Sequence, residues 1–176
     1  MFLLLKLRIT RLSIKVAMTA IFIAVGVILS WLNPFAYFYL FGTKINPFAH
    51  LINAITGVLI GLVFSCLTAI GIAFIRYSLN IGSIHAFHGG ISGALVVGIV
   101  AYLLRKKMPK YVEFAALFEP IGTVFIGGTI AELIAPLGLF TYWWLFALSC
   151  IPGCIIGFAI LLIIKKAGIS WENQFE

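Results

Sequence analysis

The chain has 176 residues, of which 63% are hydrophobic and 10% charged, whereas a soluble domain is roughly half apolar and a quarter charged. Too little polar surface is present to cover a water-facing shell, which excludes an intrinsically disordered chain, a soluble domain and a secreted disulfide scaffold. The net charge of +7 would favour nucleic-acid binding in a soluble protein, but here we interpret the basic residues as orientation signals beside membrane spans. We therefore expect a single integral membrane domain over 1–176, in contact with the lipid bilayer and without a nucleic-acid partner.

Six apolar runs follow the basic N-terminal segment if the long run between 47 and 80 is divided into two short helices near residues 61–65. Charge favours the division, because it places ten of the twelve basic residues on one side of the membrane and only Lys44 and Arg76 on the other. The sequence therefore predicts an all-α bundle of six transmembrane helices with both termini in the cytoplasm. A second helix this short must be shielded by its neighbours. The predicted spans are 12–32, 47–62, 64–80, 86–104, 112–135 and 140–164.

Most polar side chains of the predicted spans fall in the outer half of the membrane, where each costs free energy to bury and needs a function. Asn46, His50 and Asn53 have spacings of four and three, which place them on one face of the second helix. A proton relay or channel needs polar groups through the full depth, so this asymmetry favours an outward-facing binding pocket. The candidate substrate-binding residues are Asn46, His50, Asn53, Arg76, Asn80, His88 and Glu132.

Several of these residues admit a second interpretation. Arg76 either binds a ligand or a carboxylate, or extends to the lipid headgroups. Glu132 needs a cationic partner, either Arg76 or a ligand. The histidines suit hydrogen bonding better than metal binding, because no carboxylate or cysteine lies close to them in sequence. The aromatic residues of the first outer loop form either a lid that stacks on a flat ring or an interfacial belt; they are Trp31, Phe35, Tyr37, Phe38, Tyr39 and Phe41.

Glu119 lies deeper than the candidate pocket in this scheme. It is 13 residues before Glu132, and on a regular α-helix that spacing separates the two carboxylates by roughly 20 Å and by about 140° around the axis. We therefore expect the two not to share a pocket, and we assign Glu119 to helix packing or coupling. A bend at Pro120 or at residues 127–128 would weaken this argument.

The chain lacks the signatures of an energy-converting protein or a common hydrolase. No GxxxxGK[ST] sequence is present for ATP, and neither HExxH nor GxSxG occurs. The length and twofold internal repeat of a typical secondary transporter are also missing. A substrate-capture subunit driven by another protein fits these features. The alternative is a small membrane enzyme, either an intramembrane hydrolase using His50 or His88 with Glu132, or a haem-linked redox protein.

Four segments of the chain resemble one family of membrane proteins. They are residues 46–54 (NPFAHLINA), 75–82 (IRYSLNIG), 87–95 (FHGGISGAL) and 119–129 (EPIGTVFIGGT). Together they are similar to ThiW, the substrate-binding S component of energy-coupling factor (ECF) vitamin transporters. The similarity extends over about residues 15–165.

The resemblance implies a six-helix S-component fold in the cell membrane, with cytoplasmic termini. It implies a transmembrane coupling subunit and two ABC-type ATPases as partners, so that ATP is used by the partners and the chain itself needs no cofactor, metal or catalytic residue. Ala20 and Ala24 match the AxxxA pattern through which the first helix of an S component contacts the coupling subunit. The implied substrate is hydroxyethylthiazole, the thiazole precursor of thiamin; its phosphate, the pyrimidine precursor and thiamin itself remain open.

Overall fold

The computed structural model describes residues 2–34, 39–40 and 43–168, and the side chains of residues 11–34 and 44–168. Helices make up almost all of this part of the chain. They are α1 (Phe2–Trp31), α2 (Pro47–Leu59), α3 (Leu62–Ser78), α4 (His85–Lys107), α5 (Gly128–Ile134) and α6 (Leu139–Lys166). Two strands of two residues each, β1 (Tyr39–Leu40) and β2 (Thr43–Lys44), pair antiparallel between α1 and α2.

The chain between α4 and α5 is also helical, but it is wound unevenly. A 3-10 helix runs over Pro109–Phe118 and a π-helix over Ile121–Gly127, and α5 continues from there. The winding changes around Pro120. Proline has no backbone N–H, so one donor is missing from the helical hydrogen-bond ladder at this point. We call Pro109–Ile134 the fifth segment. Its side chains do not follow the regular α-helical positions that the sequence argument assumed.

Four segments of the described chain are long and apolar enough to cross a membrane. They are Arg11–Trp31, His85–Lys107, Pro109–Ile134 and Leu139–Lys166. The helices α2 and α3 are apolar but shorter. The chain is therefore a helical integral membrane protein, as its composition predicts.

The short helix α2 lies at the centre of the bundle. Every residue from Pro47 to Leu59 except Phe48 is buried, because α3, α4, α6 and the fifth segment pack around it. A helix of 13 residues is only about 20 Å long. Its neighbours therefore shield it from the lipid, which is what a second helix this short requires.

A two-residue turn joins α2 to α3. Ile60 donates its N–H to Thr56 O, and Gly61 has a φ of +87°, a left-handed conformation that glycine adopts without strain. The turn therefore divides the long apolar run into α2 and α3, which correspond to the predicted spans 47–62 and 64–80.

Glycines bring the helices around α2 into close contact. A Cβ on Gly153 of α6 would overlap the carbonyl oxygen of Pro47 at the start of α2. A Cβ on Gly93 of α4 would overlap the carboxylate of Glu119 in the fifth segment. Because no side chain separates these backbones, polar groups of α2, α4 and the fifth segment come within hydrogen-bond distance of one another.

Candidate ligand-binding site

A cavity lies at the end of the bundle where α2, α4 and α6 begin and α3 ends; we call this the cavity end. Every one of these helices contributes to its wall, as do β2, the α3–α4 connection and the fifth segment. The lining residues are Lys44, Asn46, Ala49, His50, Arg76, Ser83, His85, Ala86, Gly89, Gly90, Thr123, Phe146 and Ser149. A smaller cavity shares Ala49, Arg76, Ala86 and Gly90 with it and reaches Asn53.

Asn46 holds the first turn of α2 at this cavity. Its backbone N–H donates to Ser149 Oγ of α6 at 2.9 Å, and its Nδ2 donates to Ser30 Oγ of α1 at 2.8 Å. Pro47 follows as the first helical residue, a position that needs no backbone donor. The side-chain oxygen of Asn46 is buried and has no hydrogen-bond partner in the described chain, so it is available to accept a hydrogen bond from a ligand.

A buried pair between α2 and the fifth segment forms the centre of the site. His50 Nδ1 lies 2.7 Å from Glu119 Oε1, and Glu119 is 0% exposed. The same oxygen accepts hydrogen bonds from Asn53 Nδ2 at 3.3 Å and from Thr123 Oγ1 at 2.8 Å. The second oxygen, Oε2, is buried without a partner among the described residues. One carboxylate therefore organises three polar side chains.

The prediction that Glu119 lies deeper than the polar face is wrong, because Glu119 contacts His50 and Asn53 of that face. Asn53 is the seventh residue of the 13-residue helix α2, and Glu119 lies near the middle of the fifth segment, so both reach the same depth. The 3-10 and π windings on either side of Glu119 also redirect its side chain. Glu119 and Glu132 have different hydrogen-bond partners, and the carboxylate at the polar face is Glu119.

The pair decides what His50 presents to the cavity. When Nδ1 of His50 donates its hydrogen to the Glu119 carboxylate, Nε2 is the ring atom left for a ligand. Nε2 accepts a hydrogen bond when the ring is neutral and donates one when the ring is protonated. An imidazole oriented by a carboxylate suits hydrogen bonding to a small ligand and also general-base chemistry.

Arg76 lines both cavities from the last turn of α3. Its side chain is 5% exposed, and it belongs to neither of the ion pairs formed within the described chain. Its Nε is buried without a hydrogen-bond acceptor there. This burial contradicts the interpretation in which Arg76 extends to the lipid headgroups, and contact with a ligand stays a prediction.

The end of α3 holds Arg76 in position. Asn80 has a φ of +57°, a left-handed conformation that closes a helix, and the N–H groups of Ile81 and Gly82 donate to Arg76 O at 3.0 and 3.1 Å. Gly82 packs so closely that a Cβ there would meet Arg76 Cβ at 3.1 Å. Asn80 is exposed and does not line the cavity. In this structure Asn80 ends the helix that carries Arg76.

His85 and His88 form a hydrogen-bonded chain in the first turn of α4. A carbonyl oxygen only accepts hydrogen bonds, so His88 Nδ1 donates to Gly127 O, at 2.9 Å. With the ring neutral, His88 Nε2 accepts from His85 Nδ1 at 3.0 Å. His85 lines the cavity and His88 does not. His88 therefore orients His85 from the side of the fifth segment.

Glu132 lies apart from the other predicted site residues. Its Oε2 accepts the backbone N–H groups of Leu137 at 3.0 Å and Gly138 at 2.9 Å, in the turn between α5 and α6. The expected cationic partner, Arg76 or a ligand, is thus replaced by two backbone donors. The carboxylate stabilises the turn, and it does not line the cavity.

Five polar residues that line the cavity were not selected from the sequence: Lys44, Ser83, His85, Thr123 and Ser149. Single threonine and serine residues are common in apolar helices, so nothing in the sequence marked Thr123 and Ser149 as residues that line a cavity. The sequence did mark Glu119, because a carboxylate within a predicted membrane span is costly and usually has a function.

The aromatic residues of the first loop are only partly described. Trp31 is exposed, and the side chains of Phe35, Tyr37, Phe38, Tyr39 and Phe41 lie outside the described residues. The aromatic lid therefore stays a prediction. In the described chain, no three side chains among histidine, cysteine, aspartate and glutamate come together as a metal site.

The fold and the cavity define a class: a helical membrane protein with a cavity, lined in part by polar side chains, at one end of its bundle. The model of a family described as thiamine-precursor transporter protein (ThiW) matches residues 16–167. The chain therefore belongs to the ThiW family of thiamine-precursor transporters, which confirms the resemblance of its four sequence segments. No curated protein and no solved structure matches the chain.

Proposed function

We propose that the chain is the substrate-capture S component of an ECF-type importer and that it takes up the thiazole precursor of thiamin. The observation that carries this proposal is a polar cavity at one end of an apolar bundle, in a chain of the thiamine-precursor transporter family. Hydroxyethylthiazole is a small flat ring with a ring nitrogen and a hydroxyl group. Apolar walls with a few well-placed polar partners suit such a ligand.

The residues that we propose to bind the ligand are those that line the two cavities. They are Asn46, His50, Asn53, Arg76 and His85. His88 and Glu119 orient two of them, His85 and His50, through the hydrogen bonds described above. A phenyl ring, Phe146, supplies an apolar part of the wall.

We propose six membrane spans with both termini in the cytoplasm, which orients the cavity end outward. The basic last turns of α4 and α6 lie at the opposite end of the bundle, and this supports the orientation through the positive-inside rule. Reporter fusions at 106–109 and at the C-terminus are both expected to read cytoplasmic. If the two fusions read differently, the number of spans between them is odd and the proposal is wrong.

The proposed partners are a transmembrane coupling subunit and two ABC-type ATPases, which use ATP in place of this chain. Ala20 and Ala24 are both exposed on α1, which supports α1 as the docking helix. Replacing both with leucine is expected to abolish uptake in cells and to leave ligand binding by the isolated chain unchanged. Loss of binding by the isolated chain would instead assign Ala20 and Ala24 to packing within the bundle.

Gly90 offers a direct test of the cavity. A Cβ on Gly90 meets no protein atom within 4 Å, so a larger side chain there enters the cavity without disturbing the helices. We expect Gly90→Leu to weaken hydroxyethylthiazole binding roughly tenfold or more, because each 1.4 kcal/mol of lost contact is a factor of ten. Gly90→Ala, which adds one methyl group, is expected to have a smaller effect.

Titration calorimetry on the purified chain measures both variants, and thermal unfolding checks that they remain folded. Unchanged binding in a folded Gly90→Leu variant would contradict the site. Mass spectrometry of compounds that copurify with the chain separates the two classes of function. An intact thiazole supports capture, whereas conversion of the added thiazole by the purified chain would favour an enzyme using the His50–Glu119 pair.

A further inference from the structure

The wall of the cavity carries charge of one sign. Its titratable side chains are Lys44, His50, Arg76 and His85, and none of the described residues that line it is a carboxylate. Glu119 lies behind this wall, and the oxygen it uses already accepts the hydrogen of His50. The positive charge of Arg76 therefore has no counterion within the described part of the chain.

Arg76 has the least satisfied environment of these groups. It is 5% exposed, and the ion pairs of the described chain, His50–Glu119 and Lys165–Glu113, do not include it. Its Nε is buried without an acceptor. A guanidinium has five N–H donors and no acceptor, and it stays charged at any physiological pH. A buried arginine in this state needs an anionic acceptor.

The position of Arg76 is set before any ligand binds. The left-handed turn at Asn80 closes α3 on Arg76 O, and Gly82 packs against the side chain. A guanidinium that is already positioned loses little conformational entropy on binding. Its planar fork matches two oxygens of a phosphate group.

We propose that the cavity binds the phosphate monoester of the thiazole alcohol in preference to the free alcohol, with the phosphate at Arg76. The choice of the thiazole ring rests on the function proposed above, whereas the anionic group is argued from Arg76 and the cavity wall. A phosphate monoester carries a charge of about −1.5 to −2 at pH 7. It supplies the counterion that Arg76 lacks within the described chain, and His50 and His85 lie in the same wall to contact it or the ring nitrogen.

The test compares three compounds on the purified full chain in detergent by titration calorimetry: hydroxyethylthiazole, its phosphate monoester and ethyl phosphate. We expect the thiazole phosphate to bind at least about tenfold more tightly than the alcohol, because charge-assisted contacts to arginine are the strong ones. Arg76→Gln is expected to remove this difference, because the neutral amide loses the charge-assisted contact to the phosphate. Arg76→Lys, which keeps the charge but loses the fork, is expected to retain part of the preference.

Lys166→Gln is the matched control, because Lys166 is exposed in the last turn of α6 at the opposite end and its substitution removes the same charge. It is expected to keep the preference in full. If Arg76→Gln does not fold, the comparison of the two thiazole compounds on the unmodified chain decides the inference by itself. Retention of the preference by a folded Arg76→Gln variant would overturn the role of Arg76.

The results on the unmodified chain distinguish failure of the phosphate inference from failure of the proposed function. Equal or tighter binding of the free alcohol overturns the inference and leaves the proposed function in place. Binding of ethyl phosphate alone supports an anion site and overturns the thiazole substrate. Ethyl phosphate binding as tightly as the thiazole phosphate would indicate a general site for phosphate or lipid headgroups and overturn the inference. Failure of both phosphate compounds to bind overturns it as well.

Discussion

The two ends of the bundle treat their buried polar groups differently. At the opposite end, Lys165 Nζ donates to Glu113 Oε2 at 2.8 Å and to Lys110 O at 2.7 Å. Arg105 Nη2 there donates to Val58 O in the last turn of α2. At the cavity end, several buried polar atoms have no partner in the described chain: Asn46 Oδ1, Arg76 Nε and Glu119 Oε2.

The difference shows which end is complete without a ligand. A buried polar atom without a partner costs free energy, and in a membrane no bulk water is available to satisfy it. The opposite end meets most of this requirement with the Lys165–Glu113 ion pair and the helix-end contacts of Lys165 and Arg105. At the cavity end, Asn46 and Arg76 line the cavity, so a small polar ligand there would supply partners for them. Unsatisfied groups of this kind are expected at functional sites.

The largest expected effect comes from Glu119→Ala at the cavity end. The substitution leaves His50 Nδ1 without its buried partner. Asn53 and Thr123 lose one acceptor each and keep the carbonyl oxygens of Gly90 and Gly89. We expect the free energy of unfolding in detergent to fall by about 2–4 kcal/mol and ligand binding to be lost, because His50 is no longer oriented. Glu119→Gln is the control, since its Oε1 still accepts and most of the stability should remain. Unchanged binding in Glu119→Ala would place the ligand elsewhere.

A smaller effect is expected from Lys165→Ala at the opposite end. Glu113 is nearly buried and loses its ammonium partner, but Lys165 is partly exposed, so water replaces part of the interaction. We expect the free energy of unfolding to fall by about 1 kcal/mol and ligand affinity to stay the same. The double variant with Glu113→Ala measures the coupling within the pair. A change in ligand affinity would show that the two ends are not independent.

The smallest effect is expected from Glu132→Ala, which sharpens the comparison between the two carboxylates of the fifth segment. The turn that Glu132 stabilises is accessible to water, so water takes over the N–H groups of Leu137 and Gly138. A loss of about 0.5–1 kcal/mol in the free energy of unfolding is expected, with ligand affinity unchanged. A loss of affinity as large as that of Glu119→Ala would return Glu132 to the site.

The sequence alone predicted the membrane class, the helices and the polar face of α2, because each depends on local chemistry. The abundance of apolar residues established a membrane protein, and the apolar runs correspond to the helices, because hydrophobicity acts segment by segment. Gly61 permitted the break between α2 and α3 through its own backbone conformation. The spacing of Asn46, His50 and Asn53 placed them on one helix face for the same local reason.

Only the tertiary structure decided how these faces meet. Glu119 rather than Glu132 pairs with His50, because the 3-10 and π windings around Pro120 and the depth of α2 set which side chains face each other. Whether Arg76 has a partner likewise depends on what α2 and α4 bring next to α3. Contacts between two helices depend on how each is rotated about its axis and on their relative depth. Neither quantity can be derived from the residue pattern of a single helix.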